Sequence, residues 1–147
     1  MEMAALIVSI LAIIISVIVA IWQGIHDNRI NRTELESLYH QEIFKDYLIN
    51  KIPASRRYLK FTDSGRLDET NKLCNTLQDM VFSSLYFFYS DPAFYDGLST
   101  ACDELVDYLV QLSQQDLTKH NQDEAMEEIQ SKIKAIYDHI GKKYLKG

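Results

Sequence analysis

Residues 4–22 read AALIVSILAIIISVIVAIW, and this stretch decides how the rest of the chain is interpreted. It contains no charge, no proline and no glycine, and only Ser9 and Ser16 are polar. As an α-helix the run would be about 28 Å long, close to the hydrocarbon thickness of a bilayer. Trp22 ends it, where an amphipathic ring suits the headgroup level. The sequence therefore predicts one transmembrane helix within residues 1–25.

Two other interpretations of this stretch remain open. A cleaved signal peptide needs a basic leading segment and a shorter apolar core. Here residues 1–3 are acidic overall, and cleavage after Ala20 would place the bulky Ile18 where a small residue is preferred. A buried soluble helix can also be apolar on all sides, but an uninterrupted run of this length at a terminus is unusual for one. The pattern favours a retained span.

The charges beside the run indicate its orientation. Arg29 and Arg32 follow it closely, and no Lys or Arg precedes it, so the positive-inside rule places the C-terminal part in the cytoplasm. Cys74 and Cys102 lie in predicted helices and are expected to be free, buried thiols in a reducing compartment. A disulfide between them is the alternative.

Composition bounds what the remaining residues do. The 147-residue chain has 15 Lys and Arg against 21 Asp and Glu, a net charge of −6. An acidic domain argues against direct binding to duplex nucleic acid. We expect a connector over residues 26–32 and one cytoplasmic α-helical domain over residues 33–147.

Apolar residues in this domain recur at helical spacing, and no sustained alternating pattern indicates a strand. Thr33 and Glu36 have the spacing of a capping box, so a new helix starts there or the first helix simply continues. The fold class is therefore predicted to be all-α: a transmembrane helix followed by a bundle of four main helices and one short helix. The helices are expected at residues 33–52, 54–61, 69–89, 92–113 and 123–144.

The sequence offers no recognisable catalytic motif. Glycine-rich phosphate loops, paired CxxC motifs and HExxH are all absent, so we predict no cofactor and no enzyme activity. Glu36 and His40 are four residues apart and offer only two metal ligands, which is too few. None of the four histidines follows an arginine at the spacing of HEPN-type ribonucleases. A membrane-bound hydrolase is a remote alternative, because no nucleophile–base pair can be recognised.

An aromatic cluster stands out at residues 85–89, followed by Phe94 and Tyr95. Successive helical residues point about 100° apart, so these rings cannot all face one core stripe. They indicate either a central helix packed on several sides or a second surface, such as a subunit interface or a ligand platform.

A basic cluster is formed by Arg56, Arg57 and Lys60, with Arg66 nearby. Arginine binds phosphate in a bidentate manner, and the interleaved Tyr58 offers a stacking surface. The cluster is either a solvated helix face paired with carboxylates or a site for an anionic ligand or lipid headgroup. Arg56, Arg57 and Lys60 are the candidate ligand-binding residues.

The order IWQG-x4-R-x-NR over residues 21–32 is typical of the connector in small bacterial membrane proteins. Together with one N-terminal span and a small helical domain, this layout resembles the cyclic-oligoadenylate-activated membrane effectors of type III CRISPR systems. The resemblance covers the layout of the whole chain and assigns no binding residue. It implies a single-pass protein of the bacterial inner membrane whose cytoplasmic part forms a homo-oligomer, binds a cyclic nucleotide and perturbs the bilayer in antiviral defence.

Two functions from different classes follow. The first is a non-enzymatic membrane effector that oligomerises, senses a signal and permeabilises the membrane. The second is a membrane-anchored adaptor whose helical domain docks a partner protein through the aromatic cluster.

Overall fold

The computed structural model describes the backbone of residues 2–144 and the side chains of residues 15–25 and 32–144. The protein is all-α except for one two-stranded hairpin. It divides into two compact units, Met1–Leu38 and Tyr39–Gly147. The elements are α1 Glu2–Tyr39, two π-helical segments at His40–Phe44 and Tyr47–Lys51, α2 Ile52–Arg56, β1 Lys60–Phe61, β2 Leu67–Asp68, α3 Thr70–Ser83, α4 Leu85–Ser90, α5 Pro92–Gln114 and α6 Lys119–Tyr144.

The first unit is built from α1, which does not stop at the predicted capping box. Glu36 Oε1 accepts a hydrogen bond from Arg32 Nε at 3.1 Å, the i,i+4 pairing of a continuous helix. Of the two possibilities left open at Thr33, continuation of the first helix is therefore the one observed.

Every residue from 15 to 25 is exposed on α1. Ile18 is 60% exposed and Trp22 is 67% exposed. The side chains of residues 4–14, the larger part of the predicted span, lie outside the described residues, as do those of the connector residues 26–31. Among the residues whose side chains the structure describes, none of the helices combines the length and the apolar character needed to cross a membrane.

The second unit begins with a helical stretch that passes through Pro53, where the sequence predicted a helix end. The register changes first: the Lys45 N–H bonds to His40 O and the Ile52 N–H to Tyr47 O, each five residues back. Pro53 then occupies the first turn of α2, where its missing N–H is tolerated. The boundary predicted at residue 52, with Pro53 opening the next turn, is therefore observed as the change from the π-helical segment to α2, although the chain stays helical across it.

The short helix predicted over residues 54–61 is present but its C-terminal half is wrong. The observed α2 ends at Arg56, and Lys60 pairs with Asp68 and Phe61 with Leu67 in an antiparallel hairpin. Residues 62–65 form the turn of this hairpin: Gly65 has a φ of +87° and donates its N–H to Thr62 O at 2.9 Å. A two-residue strand is too short to give a readable alternation.

The predicted helix over residues 69–89 is divided at Ser84. The Ser84 hydroxyl is buried and donates to Met80 O at 2.7 Å, a bond back to the preceding turn that commonly bends helices. Leu73, Leu77 and Met80, before the break, are fully buried. Leu85 and Phe88, after it, are 43% and 47% exposed, so the break turns these two side chains away from the core.

The two long helices α5 and α6 form the centre of the second unit and run antiparallel. Phe94 near the start of α5 stacks on His139 near the end of α6, with ring centroids 5.1 Å apart. Asp91 caps α5, accepting the Phe94 N–H at 3.2 Å. The helices α3 and α4 pack on α5. The largest fully buried side chains are Phe44, Phe87, Ile52, Leu73, Leu77, Met80, Leu98, Leu105, Leu109, Ile129, Ile136 and Ile140.

Candidate functional site

A cleft of about 570 Å³ lies between α2 and α6, a volume within the range of small-molecule pockets. Most of its wall is apolar, with charged groups among the lining residues. We call it the α2–α6 cleft. Its lining residues are Ile52, Pro53, Arg56, Glu127, Gln130, Ser131, Ile133, Lys134 and Tyr137.

Helical spacing explains how these side chains meet. On α6, Ile129, Ile136 and Ile140 are fully buried in the core. Ile133 and Tyr137, one turn apart at the edge of that stripe, line the cleft. The apolar stripe of α6 is wider than the surface that one neighbouring helix covers. The residues at its edge, Ile133 and Tyr137, therefore form the wall of the cleft opposite α2.

Arg56 carries the main polar feature of the cleft. Its Nη2 donates to Gln130 Oε1 at 3.3 Å across the gap between the helices. Its Nε is buried and has no hydrogen-bond partner in the part of the chain that the structure describes. A buried donor without an acceptor is costly, and a charged donor more so. The positive charge of the guanidinium, which lines the cleft, favours an anion there.

Tyr137 ties α6 to the π-helical segment beside the cleft. Its hydroxyl donates to Leu48 O at 2.6 Å. In the π register the carbonyl of Leu48 would receive the N–H of residue 53, but that residue is a proline and has none. The Tyr137 hydroxyl is therefore the substitute donor. Burial raises the pKa of Tyr137, and the nearby charge of Arg56 opposes that rise.

The charged lining residues give the cleft a positive balance. Arg56 and Lys134 contribute two positive charges and Glu127 one negative charge. The arrangement is suited to binding one negative charge beside an apolar group.

The three predicted ligand-binding residues do not lie together. Arg56 lines the cleft, while Arg57 and Lys60 are exposed and are not among its lining residues. The reason is local: α2 ends at Arg56, so Lys60 lies on β1 rather than one helical turn further on. Arg66 pairs with Asp116 at 2.6 Å.

Lys134 and Tyr137 were not identified from the sequence. Tyr137 follows Ile133 at i,i+4, which is a readable signal that it borders the apolar stripe. Lys134 looks like any cation on a polar helix face. Only the packing of α2 against α6 brings it near Arg56, 78 positions away in the chain.

The aromatic cluster is divided between the core and a second surface, which its helical spacing had indicated. Phe87 and Phe94 are buried with ring centroids 4.9 Å apart, and Tyr86 stacks on Tyr39 at 4.9 Å. The outward-facing residues form what we call the aromatic surface. Its members are Phe82 (75% exposed), Leu85, Phe88 and Tyr89 (79% exposed).

The two cysteines are free, as predicted, with Cys74 half-buried and Cys102 buried. Among the residues that the structure describes, no three His, Cys, Asp or Glu side chains are grouped so that they would hold a metal ion. Glu36 instead pairs with Arg32, and His40 packs on the ring of Tyr144 at 4.5 Å.

Comparison of the chain with protein-family models, with curated proteins and with solved structures finds no match. Function therefore has to be argued from the cleft, the exposed apolar helix and the aromatic surface.

Proposed function

We propose that the protein is a membrane-anchored, non-enzymatic effector. Residues 4–22 cross the bacterial inner membrane once, and the second unit lies on the cytoplasmic side. That unit binds an anionic signal molecule in the α2–α6 cleft and forms a homo-oligomer. The oligomer then alters the bilayer, the activity implied by the resemblance to antiviral membrane effectors.

The exposed apolar part of α1 carries this proposal. Ile15, Val17, Ile18, Ile21 and Ile25 are each more than half exposed, and the opposite side of the helix is also apolar at Val19 and Ala20. Soluble proteins seldom expose so much contiguous apolar surface, and such surfaces mark contacts with membranes or partners. The neighbouring residues 4–14 add no charge to the run. A lipid environment accommodates a helix that is apolar all round.

Oligomerisation is part of the proposal because one helix cannot enclose a pore. Ser9 and Ser16 are seven residues apart and share a helix face, as small polar residues do at contacts between membrane helices. The positive balance of the cleft supports an anionic signal, including a cyclic nucleotide.

Membrane extraction tests the anchor. The variant Ile15→Lys with Ile18→Lys places two cations in the run, each costing about 2.5–3.5 kcal/mol near the centre of a span. We expect the wild type to remain in the membrane pellet after alkaline carbonate extraction and this variant to be found largely in the supernatant. The matched control is Ile49→Lys with Val110→Lys, at exposed positions in the second unit.

The control should stay in the pellet. If the Ile15 and Ile18 variant also stays there, or if the wild type is extracted, the anchor is refuted and the effector proposal fails with it.

A second candidate is a membrane-anchored adaptor, which the aromatic surface favours. Phe82, Leu85, Phe88 and Tyr89 provide large exposed rings and an aliphatic side chain on adjoining helices. Aromatic residues are enriched at protein interfaces, where they supply rigid contact area. An adaptor needs α1 only to stay in the membrane, whereas an effector needs the particular sequence of its span.

A further inference from the structure

We propose that the α2–α6 cleft binds a single-chain anionic amphiphile, a molecule with one carboxylate group on an alkyl chain. The inference rests on the proposed function in one respect: it takes the cleft to be the site where the effector receives its signal. A free fatty acid has this chemistry.

The walls of the cleft match an alkyl chain. Ile52 and Ile133 are 1% and 8% exposed, and together with the Pro53 ring they form aliphatic surface from both helices. Burying alkyl methylenes on such a surface favours binding, because it removes apolar area from water. The Tyr137 hydroxyl is engaged with Leu48 O, so this ring presents mainly its apolar part to the cleft.

The charges match one negative group. Arg56 and Lys134 outnumber Glu127 by one, so a single anion neutralises the lining residues. A ligand with several phosphates would bring further negative charges close to Glu127, at a desolvation cost that the two cations do not offset.

The guanidinium of Arg56 gives the anion its place. Its Nε is buried and its Nη2 donates to Gln130 Oε1 at 3.3 Å, so the charged end of the side chain is held at the wall of the cleft. An oxygen that accepts from the guanidinium would lie beside the apolar wall, with Lys134 in the same lining. The head group is thus bound at Arg56 and the chain runs along Ile52 and Ile133.

Photolabelling tests the proposal on the full chain in nanodiscs of phosphatidylcholine, without detergent. The probe is decanoate with a diazirine in its chain, and labelled peptides are mapped by mass spectrometry. We expect label in the segments that hold Ile52 and Ile133. Unlabelled decanoate should compete with the probe, while decanol, which has the same chain but no charge, should compete at least about tenfold less well.

Variants separate charge from shape. Arg56→Gln with Lys134→Gln should reduce cleft labelling about tenfold or more, and Arg56→Lys, which keeps the charge but loses the fork, less strongly. The control variants Arg57→Gln and Lys60→Gln remove cations outside the cleft and should label like the wild type. An unchanged circular dichroism spectrum shows that each variant is folded.

Several outcomes would overturn the inference. The first is equal labelling of the cleft in the wild type and in Arg56→Gln with Lys134→Gln. The second is competition by decanol equal to that by decanoate, and the third is label confined to residues 4–22. Competition by 3′,5′-cyclic AMP without competition by decanoate would refute the amphiphile and leave the proposed function standing. Loss of the anchor in carbonate extraction would refute the proposed function while a charge-dependent label still supported the ligand class.

Discussion

The burial of Cys102 has a consequence for its chemistry that can be measured at a single atom. The thiol is 1% exposed within α5, and burial raises its pKa from 9.0 to about 12. Burial also raises the pKa of Cys74, which is only half-buried. Because the thiolate is the reactive form, the two cysteines should differ sharply in reactivity.

We predict that one thiol reacts readily with Ellman's reagent at pH 8 in the native protein and one reacts slowly. At that pH a pKa of about 12 lowers the thiolate fraction of Cys102 by about a thousandfold relative to an ordinary thiol. The variant Cys102→Ala should keep the fast reaction, and Cys74→Ala should lose it. Equal rates for the two thiols in the folded protein would contradict the burial of Cys102.

The raised pKa of Cys102 also fixes the sign of its effect on stability. The unfolded thiol ionises near pH 9, while the folded thiol stays protonated until about pH 12. Its contribution to the free energy of unfolding is therefore complete below pH 9 and decreases as the pH rises toward 12.

At the scale of elements, regular helices could be predicted and interrupted ones could not. The helix predicted over residues 92–113 is observed at Pro92–Gln114, because the Asp91 cap and the apolar stripe of α5 define it locally. The break at Ser84 depends on a single hydroxyl turning back to Met80 O. Nothing in the residue types alone distinguishes this serine from one that points to solvent.

Pro53 shows why the rule that proline ends a helix did not predict a chain that stays helical across this residue. Proline inside a helix normally removes a hydrogen bond and ends the helix, which gave the predicted boundary at residue 52. Here the π register transfers the missing donor to the carbonyl of Leu48, and Tyr137 of α6 supplies a hydroxyl at 2.6 Å. The helix continues because Tyr137, which lies 89 positions after Leu48, donates to the carbonyl that the N–H of residue 53 would otherwise serve.

A double-mutant cycle tests this pairing. Tyr137→Phe should lower the free energy of unfolding by about 1–2 kcal/mol, because it leaves the carbonyl of Leu48 without its donor. In a Pro53→Ala background, residue 53 regains an N–H that can serve the same carbonyl. The same Tyr137→Phe change should then cost about 1 kcal/mol less, and the measurement is urea unfolding followed by near-ultraviolet circular dichroism.

The comparison of backgrounds removes effects that Pro53→Ala has on its own, including those on the unfolded chain. An equal cost of Tyr137→Phe with and without the proline would mean that the tyrosine hydroxyl does not replace the missing N–H.

At the scale of the whole molecule, the candidate site was only partly accessible to sequence reasoning. Arg56 was identified because cations are conspicuous in an acidic chain. Its partner Lys134 was not, because contact between α2 and α6 is a property of the packed second unit. Likewise, the composition of residues 4–22 predicts a membrane span. Whether such a span would only anchor the protein or would also act on the membrane depends on how copies associate.

Replacing the span separates these two functions. We predict that a variant with residues 4–22 replaced by a polyleucine run of equal length will still be retained in the membrane pellet. With decanoate added to occupy the α2–α6 cleft, liposomes containing the wild type should leak a trapped dye. The variant should release it at least about tenfold more slowly under the same conditions, because uniform leucine lacks Ser9 and Ser16. Cross-linking in the same liposomes should give oligomers of the wild type. An adaptor would cause no leakage and would behave identically with either span. Equal, low dye release from both proteins, together with a monomeric wild type, would therefore refute the effector and support the adaptor.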